Sequence, residues 1–162
     1  MRLLAISLIA VGPILVGFHW AWQCVQRVMQ IQKLVAVLDE LARELAFQQA
    51  QLLAIFQQSE QELLQACAKV LAQARPPSMR QIWDEELGHC FPLLGGVELE
   101  TARKIGQVLG RYDAKRQCEA IEQARQALSL AEQMQREEAQ RNGRVGRALG
   151  MAGGAFIFII LI

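Results

Sequence analysis

A chain of 162 residues that is 52% hydrophobic and 20% charged has the composition of a folded protein rather than a disordered tail, and its length sets one domain as the expectation. A formal net charge of +1 supplies no global basic field of the kind that binds nucleic acid, so the informative charges are those flanking apolar segments. Cys24, Cys67, Cys90 and Cys118 are scattered without a CxxC pair, which argues against a disulfide framework or a zinc site and for a reduced, cytosol-facing domain, with room left for one oxidised pair.

Residues 3–22 carry no charge and lie between Arg2 and Arg27, a window long enough to cross a bilayer of about 30 Å. An uncleaved anchor and a secretory signal peptide both fit such a start. The anchor is favoured, because no Ala-x-Ala-like cleavage site follows and Trp20 and Trp22 suit a membrane interface. Pro13 sits mid-span, where a membrane helix tolerates it at the cost of a kink.

From Val28 the apolar residues Ile31, Leu34, Val35, Leu38, Leu41, Ala42 and Leu45 recur at three and four, opposite Lys33, Asp39, Glu40, Arg43 and Glu44. This is the pattern of a helix with one buried stripe, and with no Gly or Pro before it the helix is expected to continue the first anchor. A second series, Leu52, Ile55, Phe56, Leu63, Cys67, Val70 and Leu71, predicts a helix running to Arg75, where Pro76 and Pro77 stop it. Ser78 with Gln81 is a capping-box pattern opening a short helix through Met79, Ile82, Trp83 and Leu87 that Gly88 should end. Trp83 lies on the apolar face and reads first as a core anchor, second as a partner contact.

Residues 89–96 read as a loop, with Pro92 and the paired Gly95 and Gly96 between two periodic segments. Residues 97–109 form the next helix, with Thr101, Ile105, Val108 and Leu109 on one face and Gly110 as its C-terminal cap. Asp113 is placed to cap a last helix that starts apolar through Cys118, Ile121, Ala124, Leu128 and Ala131 and becomes a charged rod over 133–144. That rod should run on into residues 148–162, which carry no charge after Arg141, Arg144 and Arg147 and read as a second, short span. No segment alternates at period two, so strands are not expected.

The chain thus reads as all-α: an N-terminal transmembrane helix over 1–24, a cytoplasmic helical bundle over 25–145 and a C-terminal transmembrane helix over 146–162. Arg27 and Lys33 after the first span, and the three arginines before the second, put the bundle in the cytoplasm and both termini on the far side. Gly146, Gly150 and Gly154, with Gly153 beside them, make a smooth ridge on the terminal helix, suited to packing against the first span or against another subunit. Glycine tolerated for its own sake in a membrane helix is the plain alternative.

The order of these features carries a resemblance. The N-terminal span, Trp83 in a short helix, Ile105-Gly-Gln-Val-Leu-Gly-Arg-Tyr-Asp113, Gln117, and Arg147-Ala-Leu-Gly-Met-Ala-Gly-Gly154 before an apolar end resemble the stage III sporulation protein AB family of endospore-forming bacteria over essentially the whole chain. The resemblance implies a membrane component of the channel-like complex between mother cell and forespore, sited in the mother-cell membrane around the forespore. That family is in turn similar to a cytoplasmic domain, the F domain, of the platform proteins of type II secretion and type IV pilus machines. By analogy the partners are the AA-type motor ATPase of the same operon and other membrane subunits, and a homo-oligomer is also open. Members usually carry a Gly-x-Thr-Pro-Leu turn between the first two soluble helices; residues 47–52 stand in its place here, and the turn is not legible.

On this resemblance Arg111, Asp113 and Gln117 become candidates for partner binding, although helix-cap chemistry alone accounts for Asp113. His89 beside Cys90 is no ligand set, and Glu85, Glu86, Glu98 and Glu100 read as solvated helix faces. With no P-loop, nucleophile elbow or dinucleotide fingerprint, neither an enzyme nor a cofactor is expected.

Overall fold

The structure, a computed structural model, describes the backbone of residues 2–47 and 52–161 and the side chains of His19 and of residues 22–46 and 52–141. Among the described residues there are six helices and no strand: α1 Arg2–Phe47, α2 Leu52–Gln58, α3 Glu62–Leu71, α4 Met79–Cys90, α5 Gly96–Val108 and α6 Ala114–Leu161. The chain divides into two compact units, Met29–Glu132 and the pair of end segments Met1–Val28 with Gln133–Ile162. The long helices α1 and α6 are each continuous, α1 as the absence of Gly or Pro around Val28 predicts and α6 despite the weak points at Gly143 and Gly146.

Among the described residues no helix is long and apolar enough to cross a membrane. The side chains of the two expected spans, 1–24 and 146–162, lie outside the described residues except at His19 and 22–24. The surroundings of Gly146, Gly150, Gly153 and Gly154 lie outside them as well.

In the unit Met29–Glu132 the α1 stripe is buried as its spacing dictates: Ile31, Leu34, Leu38 and Leu41 have no exposed surface, and Val37 widens the stripe. Each such side chain contributes about 1.5–3 kcal/mol on leaving water. They meet Ile55 and Phe56 of α2, Leu63, Leu64 and Cys67 of α3, Ile82, Trp83 and Leu87 of α4, Ala102 and Ile105 of α5, and Ile121, Ala124 and Leu128 of α6. The two long helices run antiparallel here. Cys118 Sγ lies 3.8 Å from Ala42 O, Arg125 Nε 3.3 Å from Asp39 Oδ1, and Gln32 Nε2 2.8 Å from Glu132 Oε1, so positions descend on α1 as they rise on α6.

Four expectations need correction. The helix expected over 52–75 is two helices, because at the break the Ser59 hydroxyl accepts the Gln61 N–H (3.0 Å) and Gln65 Nε2 reaches Ser59 O (3.1 Å). A serine that satisfies the backbone locally competes with the helical ladder, and Gln61 turns extended at φ −77°, ψ 127° to start α3 afresh. The same stretch stops at Leu71 rather than Arg75, where Gln73 N–H bonds Val70 O in a tightened last turn and residues 72–75 have no apolar side chain in the core.

Gly88 does not end α4; it lacks a left-handed φ, and the helix carries His89 and Cys90 onward so that Phe91 can bury and donate its N–H to Leu87 O at 3.0 Å. The loop is therefore shorter, and Leu93 N–H pins it to Gln30 Oε1 of α1 at 2.9 Å. Glu98 is buried, not a solvated face, because it sits in the first turn of α5, where the positive end of the helix dipole favours a carboxylate. The capping box forms as read: Ser78 Oγ accepts the Gln81 N–H and Gln81 Oε1 accepts the Ser78 N–H.

Candidate functional site

The residues singled out for partner contact lie on one corner, where α5 turns into α6. Gly110 takes φ +72°, which a side chain would strain, so the chain leaves α5 with Arg111 N–H on Val108 O (3.2 Å) and reverses at once. Arg111, Tyr112 and Asp113 are all exposed at its tip.

Gln117 holds the corner from below. It is buried; its Oε1 accepts the Gly110 N–H at 3.3 Å and its Nε2 donates to Tyr112 O, so one side chain satisfies main-chain groups on both sides of the turn. Asp113 stands immediately before Ala114 in the N-cap position, its carbonyl accepting the Gln117 N–H at 3.1 Å, while its carboxylate faces Arg116 Nε at 3.8 Å. Arg116 in turn lies 5.9 Å above the Tyr112 ring centroid, within cation–π range. The three residues therefore divide: Gln117 shapes the corner, Asp113 starts α6, and Arg111 projects from the tip.

Replacing Gln117 by alanine is expected to cost about 1–2 kcal/mol, since it removes two hydrogen bonds to main-chain groups of the exposed Gly110 and Tyr112. Amide exchange checks it: the Gly110 N–H should exchange faster, with little change at residues 31–41 of α1.

About two turns further along α6, Arg125 makes a two-point contact with Glu122 at 2.8 and 2.6 Å while reaching Asp39 on α1. Hydrogen bonds from Arg125 first, and then from Gln126, lower the Glu122 pKa to about 2. A carboxylate depressed in the fold stabilises it above the ordinary value near 4.5, and that contribution is lost as pH falls from there toward 2. The group is exposed, so the effect is screened by salt.

All four cysteines are free thiols. Burial raises the Cys67 pKa to about 12, with the Glu86 carboxylate adding to it, whereas Cys90 and Cys118 are raised chiefly by burial and keep part of their surface in solvent. Because Cys67 favours its neutral form in the fold, its contribution is full below the ordinary thiol pKa near 9 and is lost as pH rises toward 12. At pH 8 iodoacetamide should modify Cys90 and Cys118 while sparing Cys67, which reacts only after unfolding. Peptide mass spectrometry over time reads the order. Among the described residues no group of three His, Cys, Asp or Glu side chains could hold a metal ion.

Two residues that matter locally escaped the reading of the sequence. Ser59 shows no more than an ordinary serine in a polar stretch, but Gly106, a glycine inside a helical pattern, was a signal of close packing. It lies against Trp83, whose Nε1 donates to Ala102 O at 2.8 Å.

With this geometry in view, the family model for stage III sporulation protein AB (spore_III_AB) matches residues 2–162. The chain belongs to the stage III sporulation protein AB family. Stage III sporulation protein AB of Bacillus subtilis (strain 168) is 24% identical over 170 aligned residues, covering 100% of this chain and 99% of that protein. No solved structure matches. The family assignment therefore rests on the whole chain, including Leu109, Gly110, Asp113 and Gln117 at the corner, and it makes this a stage III sporulation protein.

Proposed function

We propose that the chain is a non-enzymatic membrane platform subunit of a sporulation-specific, secretion-like complex, coupling a cytoplasmic motor ATPase to the membrane assembly. What carries the reading is the family match from residue 2 to residue 162, which brings the apolar ends and the helical unit under one assignment. The uncharged stretches at both ends, each flanked by arginines on the side of the helical unit, support two spans with the central domain in the cytoplasm. The exposed tip with Arg111, Tyr112 and Asp113, held by Gln117, supports a protein contact made by the corner.

Co-purification tests the coupling. Detergent-solubilised protein should retain the motor ATPase encoded with it, and substitutions at the exposed tip should block spore formation. Failure to retain the ATPase, with spore formation unaffected by every tip substitution, would defeat the reading. A C-terminal reporter that proved cytoplasmic would defeat the orientation.

The spacing of Gly146, Gly150 and Gly154 favours one other reading, a membrane-anchored scaffold that self-associates through its terminal helix and meets no motor. Under it, Gly150→Leu with Gly154→Leu abolishes oligomers while the helical unit stays folded.

A further inference from the structure

An open groove of about 690 Å³ lies between the start of α4 and the α5–α6 corner, within the unit Met29–Glu132. Gly106 and Leu109, both buried, form its floor with the half-buried Met79. Arg80 and Arg111 stand on its rim.

Neither arginine is used up by the fold. Among the described residues Arg111 bonds only through its main chain, and its side chain is exposed. The Arg80 guanidinium stands 4.0 Å from Asp84 Oδ2, with its side chain 61% exposed. Asp84 lines the groove as well, its Oδ2 facing Arg80 and its Oδ1 sealed from solvent with no hydrogen-bond partner among the described residues, so it offsets part of the Arg80 charge and leaves Arg111 as the uncompensated cation. The other carboxylate at the corner, Asp113, already faces Arg116. The groove thus offers an apolar floor between two guanidinium groups, Arg111 free and Arg80 loosely held by Asp84, that can make forked bonds to carboxylates.

We propose that this groove receives an acidic segment of the protein partner, its carboxylates meeting Arg80 and Arg111 and an apolar side chain covering Leu109 and Met79. The inference rests on the coupling reading above and assigns it a surface. Charge complementarity argues for the occupant: exposed ion pairs are weak in water, but a segment that fills the groove excludes solvent from both arginines and strengthens each pair. A nucleic acid or a lipid headgroup would also meet two arginines, but the apolar floor between them has no use for a row of phosphates.

The test uses the full chain in nanodiscs of phosphatidylcholine with the cognate motor ATPase as probe, binding read by interferometry at two salt concentrations. Arg111→Glu is expected to weaken binding about tenfold and the pair Arg80→Gln with Arg111→Glu further, the loss being larger at low salt. Circular dichroism should show both variants folded, since both side chains are exposed, and Arg111→Lys, which keeps the charge but loses the fork, should bind better than Arg111→Glu and more weakly than wild type. A reversed charge on the ATPase that restores binding to Arg111→Glu supports the groove directly. If wild type and the double variant bind alike, the groove is wrong and the coupling stands. If the wild-type chain does not bind the ATPase at all, the coupling reading fails and the groove falls with it. Binding that instead appears only with phosphatidylglycerol vesicles, and is lost in the double variant, makes this a lipid site and overturns the proposal.

Discussion

Replacing Trp83 by alanine is expected to destabilise the helical unit by about 3–5 kcal/mol, a large share of the roughly 5–15 kcal/mol that holds a domain of this kind together. Among the described residues Trp83 is the largest fully buried side chain and is 0% exposed. Its loss removes the apolar area of the ring, leaves a cavity that neighbours on α4 and α5 fill only partly, and deletes the 2.8 Å bond from Nε1 to Ala102 O that ties the two helices. Trp83→Phe separates the two contributions. It keeps most of the ring volume and loses the hydrogen bond, so it should cost about 1–2 kcal/mol. The urea midpoint, followed by circular dichroism at 222 nm, reads both; a cost below about 1 kcal/mol for the alanine variant would mean that Trp83 is not the anchor of this core.

Trp83 was also the clearest residue in the sequence, and the reason shows what kind of structure was legible. A tryptophan on the apolar face of a helix opened by a capping box has both its burial and its helix fixed by neighbours within four positions. The same holds for the α1 stripe, where apolar residues at three and four dictate the buried face. What failed was decided by single polar atoms or by distant partners. Ser59 splits a periodic apolar series because its hydroxyl takes the Gln61 N–H, and the series reads through that break undisturbed. Gly88 resembles a helix end, yet α4 continues because Phe91 has a place in the core supplied by other helices.

The corner divides in the same way. Gly110 and Asp113 were read from helix-end chemistry, which is local. That Gln117 serves the turn with its own side chain depends on how α6 leaves the corner, and a glutamine in a polar stretch gives no sign of it. If the corner meets a partner as proposed, Gln117→Ala acts through the geometry of the tip and Arg111→Glu through the charge it reverses.

Gly106 carries the same logic into the core and gives the second large effect. In the interior of a helix, glycine to alanine ordinarily stabilises by about 1 kcal/mol. Here a Cβ at Gly106 would stand 2.7 Å from Trp83 Cδ1 and 2.9 Å from both its Cβ and Cγ. These atoms lie near the root of the side chain, so relief requires α4 and α5 to move apart. Overpacking of this kind costs about 1–3 kcal/mol or more, enough to reverse the sign of the helix-propensity gain. Gly106→Ala is therefore expected to destabilise by about 1–2 kcal/mol in wild type, and by less when Trp83 is already alanine, which removes the contacts to Cδ1 and Cγ but keeps the one to Cβ at 2.9 Å. A double-mutant cycle on urea midpoints measures the difference, and additive effects would show that the two residues do not limit each other. Because Gly106 also floors the groove between Arg80 and Arg111, the forced separation of α4 from α5 moves the two arginines relative to each other. The variant should then lose partner affinity at temperatures where it remains folded, which would tie this close packing in the core to the proposed contact surface.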